Sequence, residues 1–195
     1  MQKIETTLPG VLLLKPRVFG DARGFFLETF NARTLHELGI TDPWVQDNHS
    51  LSRRGTLRGL HYQLEQTQAK LCRVVRGAVL DIAVDIRLGS PHFGQWVSAL
   101  LTAENKRQIY VPQGFAHGFV VLSDEAEFLY KCSDFYSPST ERCIAWNDPA
   151  LGIDWQLGAH GIDEPLLSGK DAQGVPLHAM PTEELPPYAE LLANP

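Results

Sequence analysis

The segment AVLDIAVDIR, from Ala78 to Arg87, decides the fold class. Every second position carries an apolar side chain, namely Ala78, Leu80, Ile82, Val84 and Ile86. Three of the positions between them, Asp81, Asp85 and Arg87, are polar, so the pattern has the two-residue period of a β-strand. The segment therefore predicts a strand with one apolar face and one more polar face.

Segments of similar length surround this strand, with glycine and proline turns between them. One helix is predicted in the body of the chain, because Asn31 can cap a helix through Leu38 and Gly39 can end it. Many short strands and one helix favour a mainly β fold, a cupin-like jelly-roll β-barrel with short helices and a C-terminal tail. Further strands are expected at Val11–Val18, Gly24–Phe30, Trp44–Ser50, Lys70–Arg76, Gly94–Leu101, Arg107–Val111, Phe115–Val121, Glu127–Cys132 and Cys143–Trp146.

The composition is that of an ordinary water-soluble domain, with 195 residues, 44% hydrophobic and 21% charged. We expect a single domain over residues 1–195, with the barrel at about 11–155 and a C-terminal tail at about 156–195. Glycine, proline and acidic residues increase in this tail, which we expect to wrap the body. One short helix is predicted near Thr182–Leu192.

Charge and cysteine content exclude several classes of function. The net charge of −6 argues against a general nucleic-acid-binding protein. Cys72, Cys132 and Cys143 lack the spacing of a metal site and predict reduced thiols in the cytoplasm. The apolar run Val11–Leu14 is too short for a signal peptide or a membrane span, so no membrane association is expected.

The stretch TLRGLHYQLEQTQAK, from Thr56 to Lys70, carries the chemistry. Arg58 is suited to gripping an anionic group, and His61 can exchange a proton near neutral pH. Lys70 can stabilise a developing negative charge. Together these side chains could remove a proton beside a carbonyl in a phosphorylated substrate. The alternative interpretation is a surface strand with ordinary polar residues, Gln63 among them.

Polar residues on other strands leave similar alternatives open. Gln46 and Asn48 share one face of a strand, which is either a solvent face or the wall of a wet pocket. His117 lies between Phe115 and Phe119 on one face, where a hydrogen-bonded core histidine is the common case. A tyrosine at position 130 is likewise more often a packing residue than an acid.

A metal site is the main competing interpretation. The segment PQGFAH, ending at His117, fits the second half of the cupin pattern Pro-x-Gly-x-x-His. The first half normally supplies His-x-His and a glutamate, whereas this chain has His61-Tyr62-Gln63 and lacks the glutamate. Two histidines are fewer than the three protein ligands of a typical catalytic metal centre, so we predict none.

A series of long motifs occurs in order along the chain, namely FGDARGFFLETF, VQDNHS, LRGLHYQ, AKLCRVVRG, AVDIR, PQGFAHGFVVLS, YKCSDFY and WNDP. Together they resemble the dTDP-4-dehydrorhamnose 3,5-epimerase family, the dTDP-sugar epimerase branch of the cupins. The resemblance implies an enzyme without metal or cofactor that inverts carbons 3 and 5 of dTDP-4-dehydro-6-deoxyglucose, giving the dTDP-L-rhamnose precursor. It also implies a homodimer in which the neighbouring subunit helps complete the nucleotide site.

The resemblance assigns residue roles. His61 is the expected base, Asp171 orients it, Lys70 stabilises the enolate, and Tyr130 returns a proton on the opposite face. Asp81 and Asp85 are rival partners for His61, because they lie on the polar face of a strand expected beside it. The residues expected to contact substrate are Arg23, Glu28, Gln46, Asn48, Arg58, Lys70, His117, Tyr136, Glu141 and Lys170, with Tyr136 stacking on thymine.

Two other functions stay open from the sequence. A related barrel enzyme could act at one sugar carbon only, as an epimerase or a 3,4-ketoisomerase. A nucleotide-sugar binding module would belong to a different class. Such a module needs no proton acceptor facing a proton donor, so the predicted set His61, Lys70, Tyr130 and Asp171 argues against it.

Overall fold

The computed structural model describes residues 1–188 as a mainly β protein with antiparallel sheets. One α-helix, α1, spans Ala32–Glu37. The strands are β1 Gln2–Glu5, β2 Leu12–Lys15, β3 Val18–Asp21, β4 Gly24–Leu27, β5 Gln46–Arg53, β6 Leu57–Gln63, β7 Lys70–Arg76, β8 Ala78–Asp85, β9 Trp96–Thr102, β10 Gln108–Val111, β11 Phe115–Val121, β12 Glu125–Cys132 and β13 Glu141–Cys143. The predicted mainly β jelly roll is confirmed.

Two sheets form the barrel. The larger has the order β1-β2-β10-β7-β12-β5, and the smaller has the order β13-β6-β11-β8-β9. Apolar side chains from both sheets meet in one buried cluster, in which Val74 and Phe128 pack with Val79 and Phe119. The fold is thus two sheets packed face to face, with the side chains of alternate positions pointing into the space between them.

The tail covers the outer face of the smaller sheet. Leu80 and Ile82 of β8 pack there with Ile162, Leu177 and Met180 of the tail. As a result, the side chains of β8 after Ala78 are buried on both faces of the sheet. These tail residues therefore pack against the body of the protein, and the polar face of β8 lies inside the barrel.

Helix α1 has the predicted ends. The Asn31 side chain accepts hydrogen bonds from the backbone N–H groups of Arg33 and Thr34, and Gly39 follows with a φ of +87°. Leu35 buries the inner face of the helix against Leu14 and Leu71 on the outside of the larger sheet. This contact closes the side of the barrel opposite the tail.

Several predicted boundaries differ from those of the structure. The expected strand Val11–Val18 is divided at Pro16, which lacks the N–H needed to continue a ladder. The last strand is Glu141–Cys143 rather than Cys143–Trp146, because its pairing with β6 begins at Gln63. Within the helix expected near Thr182–Leu192, Thr182–Glu184 forms a short 3₁₀ turn, and the part of the prediction after position 188 lies outside the described residues.

Two predicted properties of the chain can also be compared with the structure. Cys72, Cys132 and Cys143 are free thiols, as expected. Among residues 1–188, no helix is long and apolar enough to cross a membrane.

Gly77 joins β7 to β8 in a conformation that requires glycine. Its φ is +72°, and a Cβ at this position would lie 2.1 Å from the carbonyl oxygen of Glu125. Gly89 has a similar φ of +88°, but a Cβ there would meet no atom within 4 Å. A side chain at either position would strain the backbone, but only at Gly77 would it also clash with other atoms.

We expect Gly77→Ala to destabilise the protein by about 3 kcal/mol or more, because strain and a backbone clash act together. Gly89→Ala, the matched control, should cost only about 1 kcal/mol. Thermal unfolding monitored by circular dichroism should then give a Tm drop of roughly 6–12 °C for the first variant and roughly 2–4 °C for the second. Equal shifts in Tm would contradict the steric argument.

Candidate active site

A cavity of about 430 Å³ opens between the two sheets of the barrel. Strands of both sheets contribute polar side chains to its wall, and the tail closes one end. Every predicted site residue except Arg23 and Glu28 lines it: Gln46, Asn48, Arg58, His61, Lys70, His117, Tyr130, Tyr136, Glu141, Lys170 and Asp171. The two-residue period of β5 places Gln46 and Asn48 on this wall. Arg58 and His61 are three positions apart on β6, and both reach the cavity because the register with β11 shifts between them, as at a β-bulge.

Asp171 of the tail meets His61 of β6. The distance from His61 Nε2 to Asp171 Oδ1 is 2.7 Å, a close contact whose angles are not those of an aligned hydrogen bond. Ser168 Oγ donates to Asp171 Oδ2 at 2.6 Å, and the Gly59 N–H donates to Oδ1 at 3.0 Å. Burial favours a higher pKa for Asp171, but contacts with His61, Ser168 and Gly59 outweigh burial and hold this pKa well below its ordinary value. Asp171 is therefore an ionised partner beside the imidazole.

The rival partners, Asp81 and Asp85, do not contact His61. Both carboxylate oxygens of Asp81 lie near His117 Nε2, at 2.9 and 3.0 Å. Asp85 is bound by Arg87 and Ser90. The rival prediction was wrong because β11 lies between β6 and β8, so β8 is not the neighbour of the strand that carries His61.

Tyr130 lies on the wall opposite His61. His61 belongs to β6 of the smaller sheet, whereas Tyr130 belongs to β12 of the larger one. Burial, with smaller contributions from nearby thiols, raises the pKa of Tyr130 to about 12. The phenol is thus protonated at neutral pH and can donate its proton.

Lys70 shares the wall of Tyr130. It pairs with Cys132 across β7 and β12, on the face that also carries Tyr130. Within residues 1–188, no carboxylate pairs with Lys70 or with Arg58, whose guanidinium donates to Ser52 Oγ. These two cations can therefore serve anionic groups of a ligand.

A polar cluster surrounds the cavity mouth. Tyr136 O–H donates to Glu141 Oε2 at 2.7 Å, and Lys170 Nζ also contacts this oxygen. Glu141 Oε1 lies 3.8 Å from His61 Nδ1. Burial opposes ionisation of Glu141, but contacts with Lys170, Tyr136 and His61 lower its pKa overall. Tyr136 remains half-exposed, so its ring face is open to a planar ligand.

Arg23 and Glu28 lie outside this cavity. Arg23 lies in the β3–β4 hairpin, where it pairs with Asp21 at 2.6 Å, and its side chain is 90% exposed. Glu28 follows β4 and accepts a hydrogen bond from Asn31 at 3.1 Å. The two strands of the hairpin pair only with each other among the described residues. The cavity within this chain is therefore built without them.

Two groups of side chains offer possible metal ligands within the described residues. They are Cys72, Asp81 and His117, and His61, Cys143 and Asp171. His117 and His61 are cross-strand partners on β11 and β6, yet their Nε2 atoms meet different aspartates. The two histidines of the cupin pattern are thus each engaged with a separate carboxylate, an arrangement suited to holding protons.

Sequence reasoning missed Ser168, which bonds to both the carboxylate and the backbone of Asp171. The spacing Ser168-x-x-Asp171 is that of a capping box, with an acid three residues after a serine. This pattern could have shown that Asp171 is held by its own turn.

The jelly-roll barrel with a polar cavity between its sheets defines a cupin-class protein. The family model of dTDP-4-dehydrorhamnose 3,5-epimerase matches residues 5–179. The chain belongs to the dTDP-4-dehydrorhamnose 3,5-epimerase family. This membership confirms the predicted enzyme class, an epimerase of dTDP-rhamnose biosynthesis that acts at carbons 3 and 5.

Three relatives illustrate the similarity. The dTDP-4-dehydrorhamnose 3,5-epimerase of Pseudomonas aeruginosa is 59% identical over 89% of this chain and 94% of the relative. The crystal structure of dTDP-6-deoxy-D-glucose-3,5-epimerase from Legionella pneumophila, in complex with dTDP-4-keto-L-rhamnose, is 53% identical with a TM-score of 0.92, covering 96% of this chain and 98% of that one. ChmJ, a 3'-monoepimerase from Streptomyces bikiniensis in complex with dTDP-quinovose, is 35% identical with a TM-score of 0.87, covering 96% of each chain.

The two aspartates can be compared in the epimerase reaction. We expect Asp171→Asn to lower kcat by about 10²- to 10⁴-fold, because His61 loses its negative partner. Asp81→Asn should lower kcat by less than about tenfold, since an asparagine oxygen can still accept a hydrogen bond from His117. Steady-state kinetics on both variants test this, and equal losses of kcat would contradict the pairing of His61 with Asp171.

Proposed function

We propose that the cavity binds dTDP-4-dehydro-6-deoxyglucose and that His61, Asp171, Lys70 and Tyr130 carry the double epimerisation. The observation that supports this best is that His61, held beside the Asp171 carboxylate, faces a protonated phenol across the barrel. Inversion of a carbon centre needs a base on one face and an acid on the other. The two sheets supply one of each.

The reaction begins with proton removal beside the carbon-4 ketone. Because carbons 3 and 5 both adjoin this carbonyl, loss of a proton from either gives an enolate. His61 accepts the proton on Nδ1, since Nε2 faces Asp171. The carboxylate holds the ring in position and stabilises the imidazolium that forms.

Lys70 stabilises the negative charge on the enolate oxygen. Tyr130 then donates its proton to the opposite face of the same carbon, which inverts it. Before the second inversion, the tyrosinate, whose conjugate acid has a pKa of about 12, takes up a proton from solvent. The His61 imidazolium releases its proton to solvent, so the base and the acid are both restored. No step needs a metal or an organic cofactor.

The nucleotide binds toward the cavity mouth. Arg58 and Lys170 serve the diphosphate, because guanidinium and ammonium groups recognise phosphate oxygens. The half-exposed Tyr136 ring stacks on thymine. The remaining predicted contacts are those of Gln46, Asn48, His117 and Glu141, which line the same cavity.

We also propose that the enzyme is a homodimer in which Arg23 and Glu28 enter the partner's cavity. Support comes from the β3–β4 hairpin, which leaves the barrel and exposes four large apolar side chains. These are Val18, Phe19, Phe25 and Phe26, the last 70% exposed. Apolar surface of this kind marks protein interfaces, and a second copy would cover it.

We further propose a single domain over residues 1–195 that works in the cytoplasm. The tail supports the single-domain proposal, since it packs on the barrel and supplies Asp171 to the cavity. Free cysteines are typical of a reducing compartment, which favours the cytoplasm.

Incubation with dTDP-4-dehydro-6-deoxyglucose in heavy water tests the mechanism. We expect NMR spectra to show deuterium at carbons 3 and 5 with inversion of both. His61→Ala should abolish exchange, because the base is gone. Tyr130→Phe should retain exchange but lose inversion, because His61 can return a deuteron only to the face it deprotonated.

Other outcomes have distinct meanings. Exchange at one carbon only would assign a single-position epimerase and leave both residue roles intact. If His61→Ala turned over substrate at the rate of the wild-type enzyme, the mechanism would be refuted. If the wild-type enzyme shows no exchange, the mechanism is wrong, and the metal-site and binding-module interpretations become the favoured ones.

Coexpression of two inactive variants tests the shared site. A mixed dimer of Arg23→Ala and His61→Ala subunits has one cavity with both residues intact, so activity should return to about a quarter of wild type under random pairing. The matched control combines Arg58→Ala with His61→Ala, which lie in the same cavity and should not complement. Failure of the first pair to complement would contradict the contribution of Arg23 across subunits.

A further inference from the structure

Gln63 is a buried polar residue that the mechanism above does not use. It ends β6, two positions after His61, and is 7% exposed. This is the position at which the cupin pattern carries its second histidine. A buried carboxamide must satisfy its hydrogen-bonding groups within the protein, so its partners indicate its role.

All partners of the Gln63 side chain lie on backbone atoms of two loops. Its Oε1 accepts from the Ser137 N–H at 3.0 Å. Its Nε2 donates to the carbonyl oxygens of Phe135 at 3.1 Å and of Gln66 at 2.7 Å. Both N–H groups of the amide are therefore used, and none is left to donate to a ligand.

Two further glutamines hold the same loop. Gln46 Oε1 accepts from the Tyr136 N–H at 2.9 Å, and Gln68 Nε2 donates to the Asp134 carbonyl at 2.9 Å. The segment 134–137 lies between β12 and β13, outside regular secondary structure. Side-chain amides thus replace the ladder bonds that a strand would have provided. Gln63 contributes most, because it binds this loop on both sides of Tyr136.

We infer that Gln63 is a positioning residue for nucleotide recognition, which fixes the 134–137 loop so that Tyr136 is presented to the nucleobase. The inference rests on the proposed stacking of Tyr136. Ordering a loop when ligand binds costs affinity, and a loop already held by Gln63 avoids that cost. Gln63 acts on binding through Tyr136 and is remote in function from the proton transfer at His61.

Gln63→Met removes the three hydrogen bonds while keeping a side chain of similar length. We expect the Kd for dTDP and the KM for the sugar nucleotide to rise roughly tenfold, the scale of a lost base–aromatic stack. The kcat should stay within about threefold of wild type, because His61, Asp171, Lys70 and Tyr130 keep their contacts. Calorimetric titration with dTDP and steady-state kinetics give these values.

Hydrogen exchange measured by mass spectrometry adds a readout specific to the loop. The peptide containing Tyr136 and Ser137 should exchange faster in Gln63→Met, since the Ser137 N–H has lost its acceptor, while barrel peptides keep their protection. Gln113→Met is the matched control, because this half-buried glutamine makes only a long contact with Ser133 Oγ, at 3.5 Å. It should alter neither affinity nor loop exchange.

A second variant covers the case in which Gln63→Met does not fold. Gln68→Met removes only the bond to Asp134, so it should raise the same Kd by a smaller factor and speed exchange of the same loop. Unchanged dTDP affinity in a folded Gln63→Met or, failing that, in Gln68→Met overturns the inference. A decrease in the kcat of Gln63→Met by as large a factor as its KM increases would also overturn the inference.

Tyr136→Ala separates this inference from the function on which it rests. If Tyr136→Ala weakens dTDP binding and Gln63→Met does not, the stacking proposal stands and the positioning role of Gln63 fails. If Tyr136→Ala leaves dTDP binding unchanged, the stacking itself is wrong, and the positioning role falls with it.

Discussion

The structure depends on covering the smaller sheet on both faces. The side chains of β8 alternate between the barrel interior and the tail, so neither side of the strand faces water. Burial of each such aliphatic side chain stabilises the fold by about 1.5–3 kcal/mol. For the side chains on the outer face of β8, this stabilisation requires the tail that covers them. The same tail carries Asp171 into the cavity beside His61. Stability and site assembly therefore rest on one packing arrangement, because the tail cannot leave the sheet without removing the carboxylate.

The electrostatics of the cavity follow from which charges are already paired. Asp171 and Asp81 each face a histidine, and Glu141 faces Lys170 and Tyr136. Lys70 and Arg58 have no carboxylate partner among the described residues. A partly enclosed cavity with two uncommitted cations favours an anionic ligand, and the reduced dielectric strengthens that attraction relative to bulk water. The same uncommitted charge is what stabilises an enolate next to a ketone.

Much of the fold could be predicted from local patterns. The period-two alternation of β8, the Asn31 cap and the convergence of Gln46 and Asn48 on one face all follow from backbone geometry. The partner of His61 could not be derived in this way, since strand order is set by long-range pairing and β11 separates β6 from β8. Only family resemblance pointed to Asp171, which is more than one hundred positions from His61. The break at Pro16 follows from the missing N–H of proline, which could be recognised from the sequence.

The position of Gln63 shows how a shared barrel can serve different chemistry. A histidine there would offer a ring nitrogen toward the cavity, whereas the carboxamide turns its oxygen and both N–H groups to loop backbone. His61 and His117, the other two positions of the cupin pattern, each face a separate aspartate. Three positions that converge on one ion in a metal-binding barrel are thus divided here among two histidines with separate aspartate partners and a glutamine bonded to loop backbone. What distinguishes the proton-transfer site from a metal centre is therefore the set of partners around these three residues, Asp171 and Asp81 above all.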